Sequence, residues 1–322
     1  MTNRKSSIKV DTEFSLIERY FAGRDSYHSD TLLSVGDDAA LLQIPQNHQL
    51  VLSVDTLVEG THFLKGADPE ALAHKLLAVN LSDLAAMGAE PRWATLALTL
   101  PEVDSQWLDH FSRGLFLLAE RYQIDLVGGD TTRGPLTLTL QIHGIIPLSA
   151  EVRRRGAKPG EQICVTNSLG AAGFALQQLL EGEGGASVAV LQQPLDRPTP
   201  QIEAGLLLRN HATAMIDISD GLLADLGHIL EQSGVGAWLE LDAIPIHPYL
   251  LDLPRVQQLT LALTAGEDYQ LCFTLSPERL EEVANGLAEI GCEMSVVGEI
   301  RSQSGLHWEG EWRPEKEGFQ HF

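Results

Sequence analysis

Leu76-Leu77-Ala78-Val79-Asn80-Leu81-Ser82-Asp83-Leu84-Ala85-Ala86-Met87 is apolar on nearly every side of a helix, yet it carries a carboxylate. A helix without a polar face belongs in the interior. Both of its ends are marked: Asp68-Pro69 supplies an N-cap and a first-turn proline, and Gly88 a stop. Strand patterns flank it. Leu50–Val54 is short and apolar, and Trp93–Leu100 alternates with period two. In Leu136–Ile146, Leu136, Leu138, Leu140 and Ile142 share one face while Thr137, Thr139, Gln141 and His143 share the other. Asp104–Tyr122, between the last two strands, reads as an amphipathic helix. A buried helix set among strands predicts an α/β fold of the α+β type.

The chain has 322 residues, more than one core usually serves, so two domains are expected. A seam runs through Pro147–Gly160, where Arg153, Arg154 and Arg155 precede Lys158-Pro159-Gly160. The expected domains are therefore 1–148 and 149–322. Beyond the seam, strands are predicted over Gln162–Thr166, Ala214–Ile218, Ala237–Leu241, Tyr269–Leu275 and Ser295–Ile300. Helices are predicted over Ala171–Leu180, Pro200–Asn210, Gly221–Gln232 and Pro277–Ile290, and a glycine-rich mobile loop over Glu181–Ser187.

Charge narrows the function. Asp and Glu total 44 against 22 Lys and Arg, a formal net charge of -22. Such a surface repels nucleic acids and anionic membranes, so neither is an expected partner. An anionic ligand then needs a cationic mediator. Cys164, Cys272 and Cys292 form no Cys-x-x-Cys pair, which argues against a disulfide framework or thiolate zinc site and suits a reducing cytoplasm. Cys164 and Cys272 sit in apolar, strand-like runs and read as core residues. Residues 1–10 lack the apolar stretch of a signal peptide, and no run reaches the roughly 20 apolar residues of a membrane span.

Six acidic motifs stand at the ends of apolar segments: Gly36-Asp37-Asp38, Ser53-Val54-Asp55-Thr56, Asn80-Leu81-Ser82-Asp83, Gly128-Gly129-Asp130-Thr131-Thr132, Asp217-Ile218-Ser219-Asp220-Gly221 and Gly266-Glu267-Asp268. Each has a plain structural reading: Gly-Asp after a strand makes a turn, and Asp220 before Gly221 can cap a helix. Asp83 resists this, because a carboxylate inside an apolar helix is costly unless paired or metal-bound. Asn80 and Asp83, three apart, can present together. Four carboxylates at about 4 Å would repel by about 4 kcal/mol per pair, about 20 kcal/mol over six pairs. Hard divalent ions relieve such a load, and oxygen donors without Cys or paired His select Mg²⁺, which also bridges phosphates.

The familiar nucleotide signatures are missing: there is no G-x-x-x-x-G-K-[ST] loop and no protein-kinase motif set. Ser219 does not occupy a G-x-S-x-G elbow. His62, after Glu59-Gly60-Thr61, is either an exposed loop histidine or a substrate contact.

Taken in order, these motifs resemble those of the thiamine-monophosphate kinase family, within the aminoimidazole-ribonucleotide-synthetase superfamily of ATP users. The likeness includes His62-Phe63, the whole of Asn80–Gly88 and Tyr269. It runs from about Phe14 to the closing Gly318-Phe319-Gln320-His321-Phe322. The resemblance implies an N-terminal α/β domain whose strands contribute to a barrel spanning a homodimer, and a C-terminal α/β domain, with ATP and several Mg²⁺ in the cleft between them. It implies Asp38, Ser53, Val54, Asp55, Asp83, Asp130, Asp217 and Asp220 as magnesium ligands. It implies Gly129, Asp130, Arg154 and Ser219 as ATP contacts, and His62, Glu267 and Phe319 as contacts to thiamine phosphate. The family commonly has Thr at position 54, so Val54 can coordinate only through its backbone carbonyl.

The implied reaction carries the γ-phosphate of ATP directly to the phosphate of thiamine monophosphate. No covalent catalytic residue is required, because phosphoryl transfer needs positioning and charge neutralisation. The rivals are other ATP-using members of the superfamily, a two-metal phosphohydrolase, and a non-enzymatic divalent-ion binder. Selenophosphate and carbamoyl-dehydration chemistry use a reactive cysteine near the N-terminus or at the C-terminal tail, and neither place has one here. The binder is weakened by the absence of EF-hand spacing.

Overall fold

In the computed structural model, residues 12–182, 192–316 and 318–319 are described. Helix α1 (Glu13–Tyr20) leads into a short hairpin, β1 (Thr31–Leu33) and β2 (Leu41–Leu42). Strand β3 (His48–Val58) then precedes the buried helix α2 (Pro69–Met87). Asp68 caps α2 by accepting from the Ala71 amide at 3.2 Å, and Gly88 ends it in the left-handed region at φ 67°. Strand β4 (Glu90–Leu100), helix α3 (Ser105–Arg121) and strands β5 (Asp125–Arg133) and β6 (Thr137–Pro147) complete the first half.

These strands form a four-stranded sheet in the order β3-β6-β4-β5, antiparallel except for the β4–β5 pair. One face carries Leu57, Leu96, Leu98, Leu138, Leu140 and Ile142, all buried, with α2 and α3 in the same core. The opposite face has no cover among the described residues at its β3 edge. Leu50, Leu52 and Val54, in the run expected as a short apolar strand, are 43%, 53% and 54% exposed.

The second half is built on a six-stranded sheet. Strand β7 (Gln162–Thr166) is followed by α4 (Ala171–Leu180), α5 (Ile202–Leu208), β8 (Ala214–Asp217) and α6 (Leu222–Ser233). Strand β9 (Gly236–Leu239), α7 (Arg255–Thr264), β10 (Leu271–Leu275), α8 (Leu280–Glu289), β11 (Met294–Arg301) and β12 (Gly305–Trp308) complete it. The order is β12-β9-β11-β7-β10-β8, antiparallel except for β12–β9. Cys164 on β7 and Cys272 on β10 are buried thiols in this sheet, as expected of core residues, and Cys292 is also buried.

Six elements were not anticipated: α1, β1, β2, β5, α7 and β12. The expected loop over Glu181–Ser187 lies outside the described residues from position 183 onward. Helix α2 is the structural bridge. It packs on β3 and β6 of the first sheet, and on β8 and α5 of the second half. The largest apolar cluster runs through it without a break, from Leu96 and Leu140 through Leu77, Leu81 and Leu84 to Leu208, Leu271 and Phe273. No helix among the described residues is long and apolar enough to cross a membrane.

Candidate active site

Asp83 sits near the C-terminal end of α2, on the helix stripe of Ala71, Leu72, Lys75, Val79 and Asp83. These positions fall on one side at helical spacing, and they wall a cavity of about 800 Å³. Strand β3 and the following turn contribute Val54, Asp55 and His62, and the second half contributes Asp217, Ser219, Asp220, Glu267, Tyr269 and Phe319.

Three carboxylates converge at one end. The Ser53 hydroxyl donates to Asp83 Oδ2 at 2.5 Å, and the buried Ser82 hydroxyl donates to Asp217 Oδ2 at 2.8 Å. Asp55 and Asp83 are hydrogen-bonded to each other. Burial, then the neighbouring Asp83 charge, pushes the Asp55 carboxyl up to about 7. Burial and the Asp83 charge likewise push Asp217 up to about 8. Burial also raises Asp83, against the pull of the Ser53 hydroxyl and the Arg154 charge. Tyr269 is held protonated, its phenol well above the ordinary range because of burial and the charges of Glu267, Asp217, Asp55 and Asp83.

Two loops from the second half lie back to back and hold the remaining groups. The Glu267 amide donates to the Ser219 carbonyl and the Tyr269 amide to the Ile218 carbonyl, both at 2.8 Å. Gly266 is required here. At φ 73° its Cβ would lie 2.4 Å from the Ser219 carbonyl oxygen. Glu267 (φ 63°) and Tyr269 (φ 48°) also adopt left-handed backbone, a strain of about 1 kcal/mol or more for each non-glycine residue. The Phe319 amide donates to the Asp220 carbonyl at 3.1 Å, which brings the C-terminal aromatic ring to the cavity wall. His62 Nδ1 accepts from the Val58 amide at 3.0 Å.

The sequence expectations divide. Val54, Asp55, His62, Asp83, Asp217, Ser219, Asp220, Glu267 and Phe319 line one cavity, and Ser53 joins through its hydrogen bond to Asp83. Arg154 is exposed, and only its charge is felt at Asp83. Asp38, Gly129 and Asp130 are exposed and outside the cavity lining. Asp130 lies in register with Ala97, Thr139 and Thr56, on the face of the sheet opposite Asp55. Three strand spacings also separate β5 from β3, about 14 Å. Gly129 is glycine because a Cβ there would meet the Leu96 carbonyl oxygen at 1.8 Å.

Two plain expectations are corrected. Asn80 does not present beside Asp83; its amide donates back to the Leu76 carbonyl of its own helix. Asp220 does not cap α6, whose N-cap is Gly221 with no side-chain bond.

Residues 36–146 match the AIR synthase related protein family, N-terminal domain, and residues 158–309 match its C-terminal domain. Over 318 residues the chain is 47% identical to the thiamine-monophosphate kinase of Salmonella typhimurium, covering 96% of this chain and 98% of that protein. The chain belongs to the thiamine-monophosphate kinase family. The solved thiamine-monophosphate kinase of Stenotrophomonas maltophilia K279a superposes with a TM-score of 0.84 at 42% identity, over 89% of this chain and 93% of that one. A second family structure, AaThiL complexed with AMPPCP and TMP, gives a TM-score of 0.76 at 30% identity, over 90% and 92%.

Three further residues support the kinase-family site, and of these only Asp268 lies in one of the motifs singled out in the sequence. Asp225 Oδ2 accepts the amides of Ser219, Asp220 and Gly221 at 3.0 to 3.1 Å and so shapes that loop. Asp268, buried and pushed up to about 7 by that burial, accepts the Gly170 amide at 2.9 Å and caps α4 from a distant segment. Lys75 is buried on α2 and ion-paired with Glu267.

Whether a hard cation suits this site is decided by the donor set. It offers only oxygens, and two of its carboxyls are bound to each other. Among the described residues no three His, Cys, Asp or Glu side chains enclose one point. Mg²⁺ asks for less than that: one or two carboxylates, with waters and phosphate oxygens filling the other positions. The residues fit the ion.

Proposed function

We propose that the protein phosphorylates thiamine monophosphate with ATP, giving thiamine diphosphate and ADP by direct in-line transfer. The observation that carries the reading is the single cavity. An aspartate cluster lies at one end, and His62, Glu267 and Phe319 stand on the same walls. The family membership and the relative complexed with AMPPCP and TMP support it.

In this reading Asp38, Ser53, the Val54 carbonyl, Asp55, Asp83, Asp130, Asp217 and Asp220 hold magnesium, while Gly129, Asp130, Arg154 and Ser219 take ATP. Magnesium held by these residues would supply charge neutralisation for the phosphates. The protein's own residues position the reactants. Ser53 and Ser82 fix the Asp83 and Asp217 carboxylates, Asp225 fixes the loop that presents Ser219, and Phe319 offers a ring face to the acceptor. The acceptor atom is already a phosphate oxygen, so no strong general base is needed. Replacing Phe319 by Ala is expected to raise the KM for thiamine monophosphate about ten-fold, with the KM for ATP changing less than two-fold. Steady-state kinetics with each substrate varied in turn checks this, and an unchanged acceptor KM removes Phe319 from the site.

The same reading includes a homodimer, a domain boundary at 148/149 and a cytoplasmic enzyme. The exposed Leu50, Leu52 and Val54 support the dimer, since apolar side chains clustered on one sheet face are the material of a subunit interface. Asp130, on that same face, then reaches a site only through a partner copy. Mixed dimers of Asp83→Asn and Asp130→Asn subunits are therefore expected to recover about a quarter of wild-type activity, because half the dimers are mixed and each has one intact site. No recovery after co-refolding contradicts the shared site. Leu52→Asp is expected to shift the protein to monomer in light scattering.

A further inference from the structure

Lys75 is the only fully buried lysine among the described residues, with its side chain 5% exposed. Its neighbours Leu72, Leu76 and Leu77 on helix α2 are all buried. Removing an ammonium from water costs several kcal/mol, and replacing a buried ion pair by apolar residues is often neutral or stabilising. Stability alone therefore gives no account of this lysine. Its position does. Lys75 lines the cavity, as does its partner Glu267, which the ammonium contacts through Oε2. Lys75, Val79 and Asp83 step along one helix stripe, so Lys75 stands about 12 Å along the axis from the aspartate cluster. That places it away from the aspartate end of a cavity that Phe63, Leu72, Leu176, Leu179 and Leu195 also line. Asp196 lies there too and feels both Lys75 and Glu267 electrostatically. Apolar walls with surplus carboxylate suit a flat, cationic heteroaromatic group.

We infer that Lys75 is a positioning residue for the acceptor: it fixes Glu267 through Oε2 so that Oε1 is presented to the N–H or cationic ring of the substrate. The inference rests on the proposed kinase reading and extends it to a residue that touches the substrate only through Glu267. Glu267 lies on a loop with left-handed backbone, and its amide is held by the Ser219 carbonyl. Its backbone is thereby set, and the ammonium sets the side chain.

The test uses the full-length wild-type protein, Lys75→Met, Lys75→Arg, Glu267→Gln and the Lys75→Met/Glu267→Gln double variant, with thiamine monophosphate and Mg-ATP varied separately. Lys75→Met is expected to raise the acceptor KM about ten-fold or more, the scale of a charge-assisted hydrogen bond, with the ATP KM within two-fold. Lys75→Arg is expected to recover most of that loss. The double variant is expected to be no worse than Glu267→Gln alone, because both changes remove the same presented oxygen. A purely structural lysine would lower the melting temperature and leave the acceptor KM unchanged, which overturns the inference. So would additive losses in the double variant. If Lys75→Met does not fold, Lys75→Arg against Glu267→Gln decides: an Arg variant as impaired in acceptor KM as Glu267→Gln contradicts the positioning role. Absence of thiamine diphosphate with the wild type overturns the kinase reading itself; product from the wild type with an unmoved acceptor KM in the variants overturns this inference alone.

Discussion

Asp83→Asn is expected to lower turnover by about a thousand-fold while the protein stays folded. Asp83 touches more of the site than any other carboxylate: it binds Ser53, is hydrogen-bonded to Asp55 and acts electrostatically on Asp217. An amide in its place keeps the shape and the Ser53 contact but removes the charge that holds a divalent ion. Losing one preorganised electrostatic contributor at a reacting centre costs on the order of a hundred- to a thousand-fold. Here metal and phosphate positions are lost together, which sets the expectation at the upper end. The fold has no reason to suffer, because the substitution removes a buried negative charge from beside two others. The checks are kcat at saturating Mg-ATP and thiamine monophosphate, with far-UV circular dichroism and melting temperature alongside. Wild-type turnover would refute the place of Asp83 in the site. An unfolded variant would show that its hydrogen bonds, and not its charge, matter most.

The second large effect is on stability, and its sign follows from the same cluster. A carboxyl whose folded pKa is raised binds its proton more tightly in the native state than in the unfolded chain. The stability it contributes is full below the unfolded value, near 4, and is lost as pH rises through the folded value. For Asp55, at about 7, and Asp217, at about 8, that window spans about pH 4 to 8. At about 1.4 kcal/mol per pKa unit, the linked loss is on the order of 5 kcal/mol for each of the two carboxyls. Without divalent ions, the melting temperature is therefore expected to fall between pH 5 and pH 8. Added Mg²⁺ is expected to restore it at pH 8 and to have little effect at pH 5, where the carboxyls keep their protons. Asp83→Asn is expected to flatten both the pH dependence and the Mg²⁺ response. A melting temperature that rises across this window in wild type and variant alike would contradict the cluster.

How much of this could be read from residues depends on the range of each interaction. Helix α2 is fully legible because its signals are local: Asp68 caps it, Gly88 stops it, and an apolar surface on every side announces burial. Asp83 stands out for the same reason. Strand β5 was hidden because Gly128-Gly129-Asp130 looks like a turn, whereas Gly129 is there to let the Leu96 carbonyl approach. Helix α7 was hidden because Leu259, Leu261 and Leu263 alternate like a strand, and its N-cap, Pro254, makes no side-chain bond. The apolar run in β3 was legible as a strand but its exposure was not, since composition does not say whether a second copy of the chain or the chain itself covers a face.

The site shows the same division. Nine of the residues named through the motifs line one cavity. Two of the partners that hold them are remote in sequence, Ser82 on Asp217 and Lys75 on Glu267, while Asp225 lies four to six residues beyond the loop it holds. None has a period or a spacing to betray it. Asp130 fails to join the cavity within one chain for a different reason, because the β3–β5 sheet places it on its other face, and Asp38 and Gly129 also lie outside the cavity lining.

One measurement bears most directly on the central claim. Purified protein is mixed with Mg-ATP and thiamine monophosphate, and ADP and thiamine diphosphate are quantified over time. The cavity, with its aspartate cluster at one end and Glu267 and Phe319 on its walls, predicts one thiamine diphosphate for each ADP and no product from unphosphorylated thiamine. ADP released without thiamine diphosphate would contradict the account and leave a water-activating phosphohydrolase as the reading of these aspartates.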